Sequence, residues 1–222
     1  MSIRTSYRAV IIAAVYLTLA GAHSAAAVGI GAKFGLSFAR QDFEYASSVF
    51  TLDTDTRLGP AAGVFAERSI LSYLSLRAEA LYIQKGFKID LTVYSLSGES
   101  SAKTLHYRLD YLSINALAKA SLPSHTYLVA GPRLDVRLSI HDDMPDIVPH
   151  EVEDKYNSTV FGATFGIGQE VNLAAVGVVF IEGQYYLDFG NLYDYELKPE
   201  SKVGTLTAIE NQAFAVFVGL RF

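Results

Sequence analysis

The chain lacks several residue types, and each absence excludes a class of protein. It has no cysteine, which excludes a disulfide framework and a metal site built on thiolates. It has no tryptophan, so 14 tyrosines and 13 phenylalanines form its aromatic surface without indole anchors. Beyond the N-terminal region it has no apolar run of the about 20 residues that a transmembrane helix requires. These absences argue against a helical protein of the inner membrane.

The chain also lacks an excess of positive charge. It contains 18 Lys and Arg against 23 Asp and Glu, and removal of residues 1–27 would leave 16 basic and 23 acidic residues, a net charge of −7. A nucleic-acid partner requires a basic face. We therefore predict that nucleic acid is not a partner.

The N-terminal segment predicts an export signal that is removed. Two arginines precede an apolar stretch from Ala9 to Ala22, and Ala25–Ala27 supplies small residues for cleavage. The apolar stretch is short for a transmembrane helix. We expect a signal peptide over residues 1–27 and a single domain over residues 28–222, with an uncleaved anchor helix as the alternative.

The last eleven residues alternate with a period of two, which is typical of a β-strand between two different environments. The intervening positions are mostly small, and Arg221 lies near the end. An apolar face that ends on an aromatic residue is typical of the closing strand of a bacterial outer-membrane barrel. We therefore expect an assembly signal, read by the barrel assembly machinery, in Phe214, Val216, Val218, Leu220 and Phe222.

The alternation recurs upstream, which makes eight predicted strands at 29–40, 59–68, 73–87, 105–120, 127–139, 159–171, 179–188 and 212–222. A change of phase in the fourth run predicts a β-bulge near Tyr111, where the strand would change face. Three connections are short, near 69–72, 121–125 and 172–176. Four are long and polar, at 41–57, 88–104, 140–157 and 189–208. Short turns at one end and long loops at the other describe an outer-membrane barrel, and an even strand number closes the sheet against lipid.

In the predicted strands, the charged residues lie almost entirely on one of the two alternating faces, and we refer to each face as one parity. An Arg or Lys at the bilayer midplane costs about 2–4 kcal/mol on a lipid face, which explains why the other parity is nearly free of charge. The charged parity also carries many Gly and Ser residues, which make room for long side chains in a narrow lumen. The predicted lumenal charge network comprises Lys33, Arg77, Glu79, Lys85, Arg133, Asp135, Arg137, Glu170, Glu182 and Arg221.

Eight strands enclose an interior just wide enough for side chains to fill. Because the lumenal charges carry both signs they can pair, and an unpaired buried charge would be costly. We therefore predict an all-β fold, an eight-stranded antiparallel up-and-down transmembrane β-barrel with a plugged lumen. Its location is the outer membrane of a Gram-negative cell, where lipid surrounds it. A narrow channel or transport barrel, and a soluble exported lipocalin-like ligand-binding barrel, are the alternatives.

Three segments resemble strands of the PorT-like outer-membrane barrel family. They are LRAEALYIQKGF at 76–87, LDYLSIN at 109–115 and LVAGP at 128–132, which are similar to the family's "PELLYSQKG", "YLEIP" and "LLAGP" strands in the same order. The resemblance covers essentially residues 28–222. Ser113 and Asn115 stand where the family usually has Glu and Pro, so that part of the lumenal network is expected to differ. The resemblance implies an outer-membrane barrel, and it implies no particular activity.

Two segments contain possible cation ligands. Residues 141–154 include His141, His150 and six acidic residues, but no ligand spacing matches a known site, and we interpret the segment as a solvated acidic loop. Asp53-Thr54-Asp55 lacks the glycine and the bidentate glutamate of a calcium loop. We predict neither a metal nor a cofactor.

The sequence offers no catalytic motif. It has no nucleophile motif, phosphate-binding glycine loop or zinc helix, and candidate serines such as Ser37, Ser75 and Ser139 have no local support beside His106 or His141. We predict that the protein is not an enzyme.

The long loops are the predicted route to a protein partner. Their aromatic residues supply the expected contacts, which are Phe43, Tyr45, Phe50 and the tyrosines of segment 190–195.

Deletion of Phe222 is expected to lower the yield of membrane-inserted protein more than it changes the fold of the protein that does insert, because the terminal aromatic belongs to the assembly signal. The yield is measured as the fraction of heat-modifiable protein in outer-membrane preparations. Phe222→Tyr is the matched control, and normal insertion of the deletion variant would contradict the prediction.

Overall fold

The protein folds into eight antiparallel strands that form one closed barrel in chain order. The structure, a computed structural model, describes residues 28–45, 55–94, 100–142, 157–174, 176–189 and 206–222; the predicted export signal lies outside them. The strands are β1 (Val28–Tyr45), β2 (Asp55–Leu71), β3 (Leu74–Tyr94), β4 (Ser100–Ser121), β5 (Thr126–Asp142), β6 (Thr159–Leu173), β7 (Gly177–Asp188) and β8 (Leu206–Arg221). The predicted fold class is confirmed. In these described ranges no helix has the length and apolarity to cross a membrane.

The strands are longer than their alternation predicted. β1 continues to Tyr45, β3 continues to Tyr94, and β4 already begins at Ser100. The predicted bounds of the long loops, 41–57, 88–104, 140–157 and 189–208, were therefore wrong by several residues at one or both ends. The reason is that ladder hydrogen bonds are made by backbone groups. Pairing can continue where the side chains no longer alternate between lipid and lumen.

The strands are staggered around the barrel. Val28 on β1 can be followed through directly paired residues until the path returns to β1 at Phe38, ten positions further along; it passes Arg68, Leu76, Ala118, Ala130, Phe165, Tyr185 and Phe214. A stagger of this kind tilts the strands by about 35–45° relative to the barrel axis. Lumenal residues from distant strands are thereby brought to the same level.

The side chains that point outward from the strands form an apolar belt around the barrel. Phe34, Val64, Ile167 and Ile181 are each more than half exposed. The alternative of a soluble barrel with an apolar ligand cavity is therefore wrong, because the large apolar side chains point outward, where only lipid can cover them.

The predicted bulge near Tyr111 lies on the neighbouring strand. The register between β4 and β5 shifts between Asp110 and Tyr111, where Leu138 of β5 is the extra residue. β4 itself does not change face as predicted. Tyr107 and Leu109 are buried in the lumen, and the sequence pattern was misleading because the extracellular part of the lumen is itself apolar.

Lumenal glycines lie directly opposite bulky side chains of neighbouring strands. The pairs in register are Gly31–Phe65, Gly35–Phe217, Gly63–Leu81, Gly168–Tyr127 and Gly219–Phe180. A Cβ at Gly63 would lie 2.6 Å from Leu81 Cδ2, and one at Gly168 would lie 2.7 Å from Tyr127 Cε1. At Gly31, Gly63, Gly168 and Gly219 the absence of a side chain therefore provides space for the partner's side chain, and at Gly35 it allows close approach of the neighbouring backbone.

Gly168→Val is expected to lower the free energy of unfolding by about 1–3 kcal/mol, because the new side chain would overlap the Tyr127 ring. Urea unfolding in detergent micelles, followed by the gel shift on heating, measures the change. Ala32→Val, at an exposed position of β1, is the control. Equal stabilities of the two variants would contradict the packing argument.

Candidate functional site in the barrel lumen

The lumen contains an ionic network whose formal charges cancel. Among the residues that the structure describes, six lumenal cations and six lumenal carboxylates lie within 4.0 Å of at least one partner of opposite sign: Lys33, Arg77, Lys85, Lys119, Arg133 and Arg221, with Glu67, Glu79, Asp135, Glu170, Glu182 and Asp188. These twelve residues form three clusters along the barrel axis.

The periplasmic cluster lies near the end with the short turns and is centred on Glu67. Its carboxylate accepts hydrogen bonds from Arg77 Nη2 at 2.8 Å and from Lys119 Nζ at 3.0 Å, and it also contacts Arg221. Glu170 contacts Lys119 and lies 3.6 Å from Arg221 Nη2. Glu67 thus contacts three cations, and Glu170 is the second carboxylate of the cluster.

The central cluster is formed by Lys33, Glu79 and Glu182. Lys33 Nζ donates to Glu79 Oε1 at 2.8 Å and to Glu182 Oε1 at 2.9 Å. Arg77 Nη1 donates to Glu182 Oε2 at 2.6 Å, so Arg77 connects this cluster to the periplasmic one. Neutral amides complete the coordination of Glu79, because Asn115 Nδ2 and Gln184 Nε2 donate to its Oε2 at 3.2 Å and 3.3 Å.

Aromatic rings surround the Arg77 guanidinium. Its Cζ lies 4.8 Å from the centroid of the Phe65 ring, 5.3 Å from that of Tyr127 and 5.6 Å from that of Phe180. Cation–π contacts of this kind add to the ion pairs and limit the positions that the side chain can occupy.

The extracellular cluster lies nearer the end with the long connections. Lys85 Nζ donates to Asp135 Oδ2 at 2.7 Å, while Arg133 contacts Asp188 and lies over the Tyr186 ring at 5.0 Å. Gly162 is paired with Arg133 in register, and a Cβ there would lie 2.7 Å from Arg133 Nη2. A glycine again provides the space for a long lumenal side chain.

Apolar side chains fill the lumen around and beyond the extracellular cluster. The Phe87 and Tyr107 rings stack with their centroids 5.1 Å apart, and Ile83, Leu109 and Tyr111 belong to the same buried cluster. The lumen is therefore occupied by paired charges towards the periplasm and by apolar groups towards the exterior.

The structure brings together most of the predicted charge network. Seven of its members are buried: Lys33, Arg77, Glu79, Lys85, Arg133, Asp135 and Glu182. Glu170 and Arg221 lie at the periplasmic end with side chains 20% and 23% exposed. Arg137 is half-buried and is not one of the twelve residues of the network.

Sequence reasoning did not select three members of the network: Glu67, Lys119 and Asp188. Each lies on the inward face of its strand, and this position is the signal that could have identified it. For Glu67 the signal is poor, because the alternation of β2 is weak. Asn115, where the sequence departs from the PorT-like pattern, donates to Glu79. The departure therefore lies within the network.

The serines considered for catalysis have partners within the barrel wall. Ser37 Oγ donates to the carbonyl oxygens of Gln84 at 2.5 Å and Gly59 at 3.2 Å, and Ser139 Oγ donates to Asp110 at 2.9 Å. Ser75 Oγ lies 3.3 Å from Ser69 Oγ. The His106 side chain lies outside the described residues, and His141 is exposed.

The residues considered as possible cation ligands, for which no metal was predicted, lie mostly outside the described residues, including Asp53, Thr54 and the segment 143–154. Within the part of the chain that the structure describes, no group of three or more His, Cys, Asp or Glu residues is placed to hold a metal ion.

Arg77→Leu is expected to lower the free energy of unfolding by about 3–5 kcal/mol, because Glu67 and Glu182 would each lose a buried cation. Urea unfolding in detergent micelles measures the loss. Arg40→Leu, at an exposed position, is the control and should change stability by no more than about 0.5 kcal/mol.

The double variant Arg77→Leu/Glu182→Leu should recover part of the lost stability, because it removes one carboxylate together with the cation. Wild-type stability of the single variant would contradict the role given to Arg77.

The chain was compared with protein-family models, curated proteins and solved structures. A family model described as an outer membrane protein beta-barrel domain matches residues 21–194, and no curated protein matches the chain by sequence. Similar solved structures include OprG from Pseudomonas aeruginosa, with 11% identity, a TM-score of 0.45 and coverage of 89% of this chain and 97% of that one. Neisserial surface protein A has 14% identity, a TM-score of 0.43 and coverage of 90% and 100%. Ail of Yersinia pestis has 10% identity, a TM-score of 0.39 and coverage of 87% and 98%.

The family match over most of the chain, with the closed barrel and its apolar belt, shows that the protein belongs to the outer membrane protein beta-barrel domain family and resides in the cell outer membrane.

Proposed function

We propose that this outer-membrane barrel is a structural or interaction protein that acts through its extracellular loops, without catalysis and without a conducting lumen. The observation that supports this role is the pairing of six lumenal cations with six carboxylates. A conducting pore needs binding that is weak enough to release the ion. In this lumen the charged groups already bind one another, and apolar side chains occupy the space beyond them.

The loops are the part of the molecule left to meet a partner. The four long connections, predicted at 41–57, 88–104, 140–157 and 189–208, all leave the barrel at the same end, and the β3–β4 hairpin brings paired strands as far as Tyr94 and Ser100. Phe50 and segment 190–195 lie outside the described residues, as do the side chains of Phe43 and Tyr45. Outer-membrane lipid and the barrel assembly machinery are the further partners of this proposal.

We also propose that the protein belongs to the PorT-like branch of these barrels. The three segments that carry the resemblance, 76–87, 109–115 and 128–132, lie on the consecutive strands β3, β4 and β5. They contribute Arg77, Glu79 and Asn115 to the central contacts of the lumen. The shared sequence pattern thus coincides with one continuous part of the barrel wall.

A narrow channel is the second candidate. It is favoured by polar atoms of the extracellular cluster that are buried without a hydrogen-bond partner: Arg133 Nε and Nη1, Asp135 Oδ1 and Asp188 Oδ2. Because Arg133 Nε and Asp135 Oδ1 face each other at 3.5 Å, Arg133 Nη1 and Asp188 Oδ2 are the atoms that would offer hydrogen bonds to an ion or water molecule entering the lumen.

Wild-type protein in planar lipid bilayers is expected to show no unit conductance, because paired charges and apolar side chains fill the lumen. Single-channel recording of purified, heat-modifiable protein measures this. Arg77→Ser removes the side chain that connects two clusters, and it should raise the conductance above the wild-type value. Steady unit conductance of the wild-type protein would contradict the closed lumen and favour the channel.

A separate experiment in cells tests the loop-mediated role. A variant in which short Gly-Ser turns replace 46–54, 95–99, 143–156 and 190–205 should insert as a heat-modifiable barrel. It should also fail to correct the defect of cells that lack the protein. Full restoration by this variant would show that the barrel wall, and not the loops, carries the function.

A further inference from the structure

A group of polar side chains on the outer surface of the barrel does not belong to the lumenal network. We call it the outer arginine cluster and define it as Arg57, Gln84, Arg108, Asp110 and Ser139. Gln84, Asp110 and Ser139 form one row across β3, β4 and β5, because they are directly paired in register. Arg108 is the next outward residue of β4 on the extracellular side.

The contacts of the cluster leave it with excess positive charge. Arg57 donates to Gln84 Oε1 at 3.3 Å and to the Lys85 carbonyl oxygen at 3.4 Å. Arg108 Nε lies 3.4 Å from Asp110 Oδ1, in a geometry that leaves both atoms without a hydrogen bond. Gln84, whose side chain Arg57 contacts, is paired in register with Asp110. The cluster thus holds two guanidiniums and one carboxylate, and the Arg108 side chain remains 33% exposed.

The cluster marks the extracellular edge of the apolar belt. The outward row immediately below it, Tyr82, Leu112 and Val136, is apolar apart from the tyrosine hydroxyl, which accepts a hydrogen bond from Gln84 at 2.8 Å. Bacterial outer-membrane barrels expose their long connections to the exterior. The two arginines therefore lie at the level of the headgroups of the outer leaflet.

The surface below the cluster is apolar, and beneath the row that contains Ile114 it includes a patch of alanines. Ala66, Ala78 and Ala116 are paired across β2, β3 and β4, Ala118 is paired with Ala130 of β5, and all five are exposed. The other half of the belt carries more aromatic side chains, among them Phe34, Phe165 and Phe214. On the β2–β5 side of the described barrel, the alanine patch lies beneath the two arginines, together with larger exposed residues such as Val64 and Ile114.

We propose that this face binds a phosphorylated glycolipid of the outer leaflet, with a phosphate between Arg57 and Arg108 and acyl chains across the alanines. Charge complementarity identifies the occupant: the guanidinium fork matches a phosphate, and a second cation beside it favours an anion over any neutral headgroup. Basic groups at the membrane surface attract anionic headgroups in the same way. A second copy of this chain would place two such arginine pairs together and is disfavoured by their repulsion.

The proposal is tested by native mass spectrometry of the full barrel in detergent, titrated with lipopolysaccharide of a single chemotype. The wild-type protein is expected to retain one lipopolysaccharide molecule. Arg57→Gln and Arg108→Gln should each weaken binding about tenfold, the size expected for one charge-assisted contact. Dephosphorylated lipopolysaccharide should bind the wild type as weakly as the intact lipid binds the variants. Arg40→Gln, an exposed arginine of β1, is the control and should bind like the wild type.

Three outcomes would overturn the proposal. Equal affinity for intact and dephosphorylated lipid would show that no phosphate is recognised. Equal weakening by Arg40→Gln would indicate nonspecific attraction of the lipid to exposed arginines. A lipid-free dimer that is lost on Ala116→Phe would show that a second copy covers the alanine face. Each variant is first checked for the heat-dependent gel shift, so that misfolding is not read as lost binding.

Discussion

The lumen depends on the position of Arg77, whose guanidinium contacts carboxylates of two clusters. Nη2 donates to Glu67 at 2.8 Å and Nη1 donates to Glu182 at 2.6 Å. A charge in a closed, largely dry interior is costly unless opposite charges and hydrogen bonds compensate it. Arg77 meets this requirement for itself and for two glutamates at once. Lys33 and Lys119 donate to the other oxygen of Glu182 and Glu67, respectively. The clusters therefore depend on one another and are not a set of separate ion pairs.

Space for this network comes from residues that have little or no side chain. Gly31, Gly168 and Gly219 lie opposite the three rings that surround Arg77, namely Phe65, Tyr127 and Phe180. Eight strands enclose too small a volume for large residues on every inward position. The alternation of glycine with bulky or charged residues therefore explains how the lumen is packed.

The outer surface is uneven because strands of different composition meet lipid on different sides. Alanine is the commonest exposed residue on the belt of β2–β5, where larger residues such as Val64 and Ile114 are also exposed, whereas phenylalanine and valine are the commonest on the belt of β6–β8 and β1. Arg57 and Arg108 lie above the alanine side, beside Gln84 and Asp110. The positive charge at the edge of this side distinguishes it from ordinary lipid-facing surface.

The sequence by itself determined the strand number, the closed barrel and, outside the first part of β4, the side of the wall on which most residues lie. It did so because a strand in an outer-membrane barrel separates lipid from lumen at every residue, so the period of two appears directly in the order of residues. Lys33, Glu79 and Glu182 could be assigned to the lumen for this reason. Only the tertiary structure decided which lumenal residues meet. The ten-residue stagger brings Glu67 of β2 to Lys119 of β4 and Arg221 of β8, and no local pattern records a contact that depends on the relative shift of eight strands.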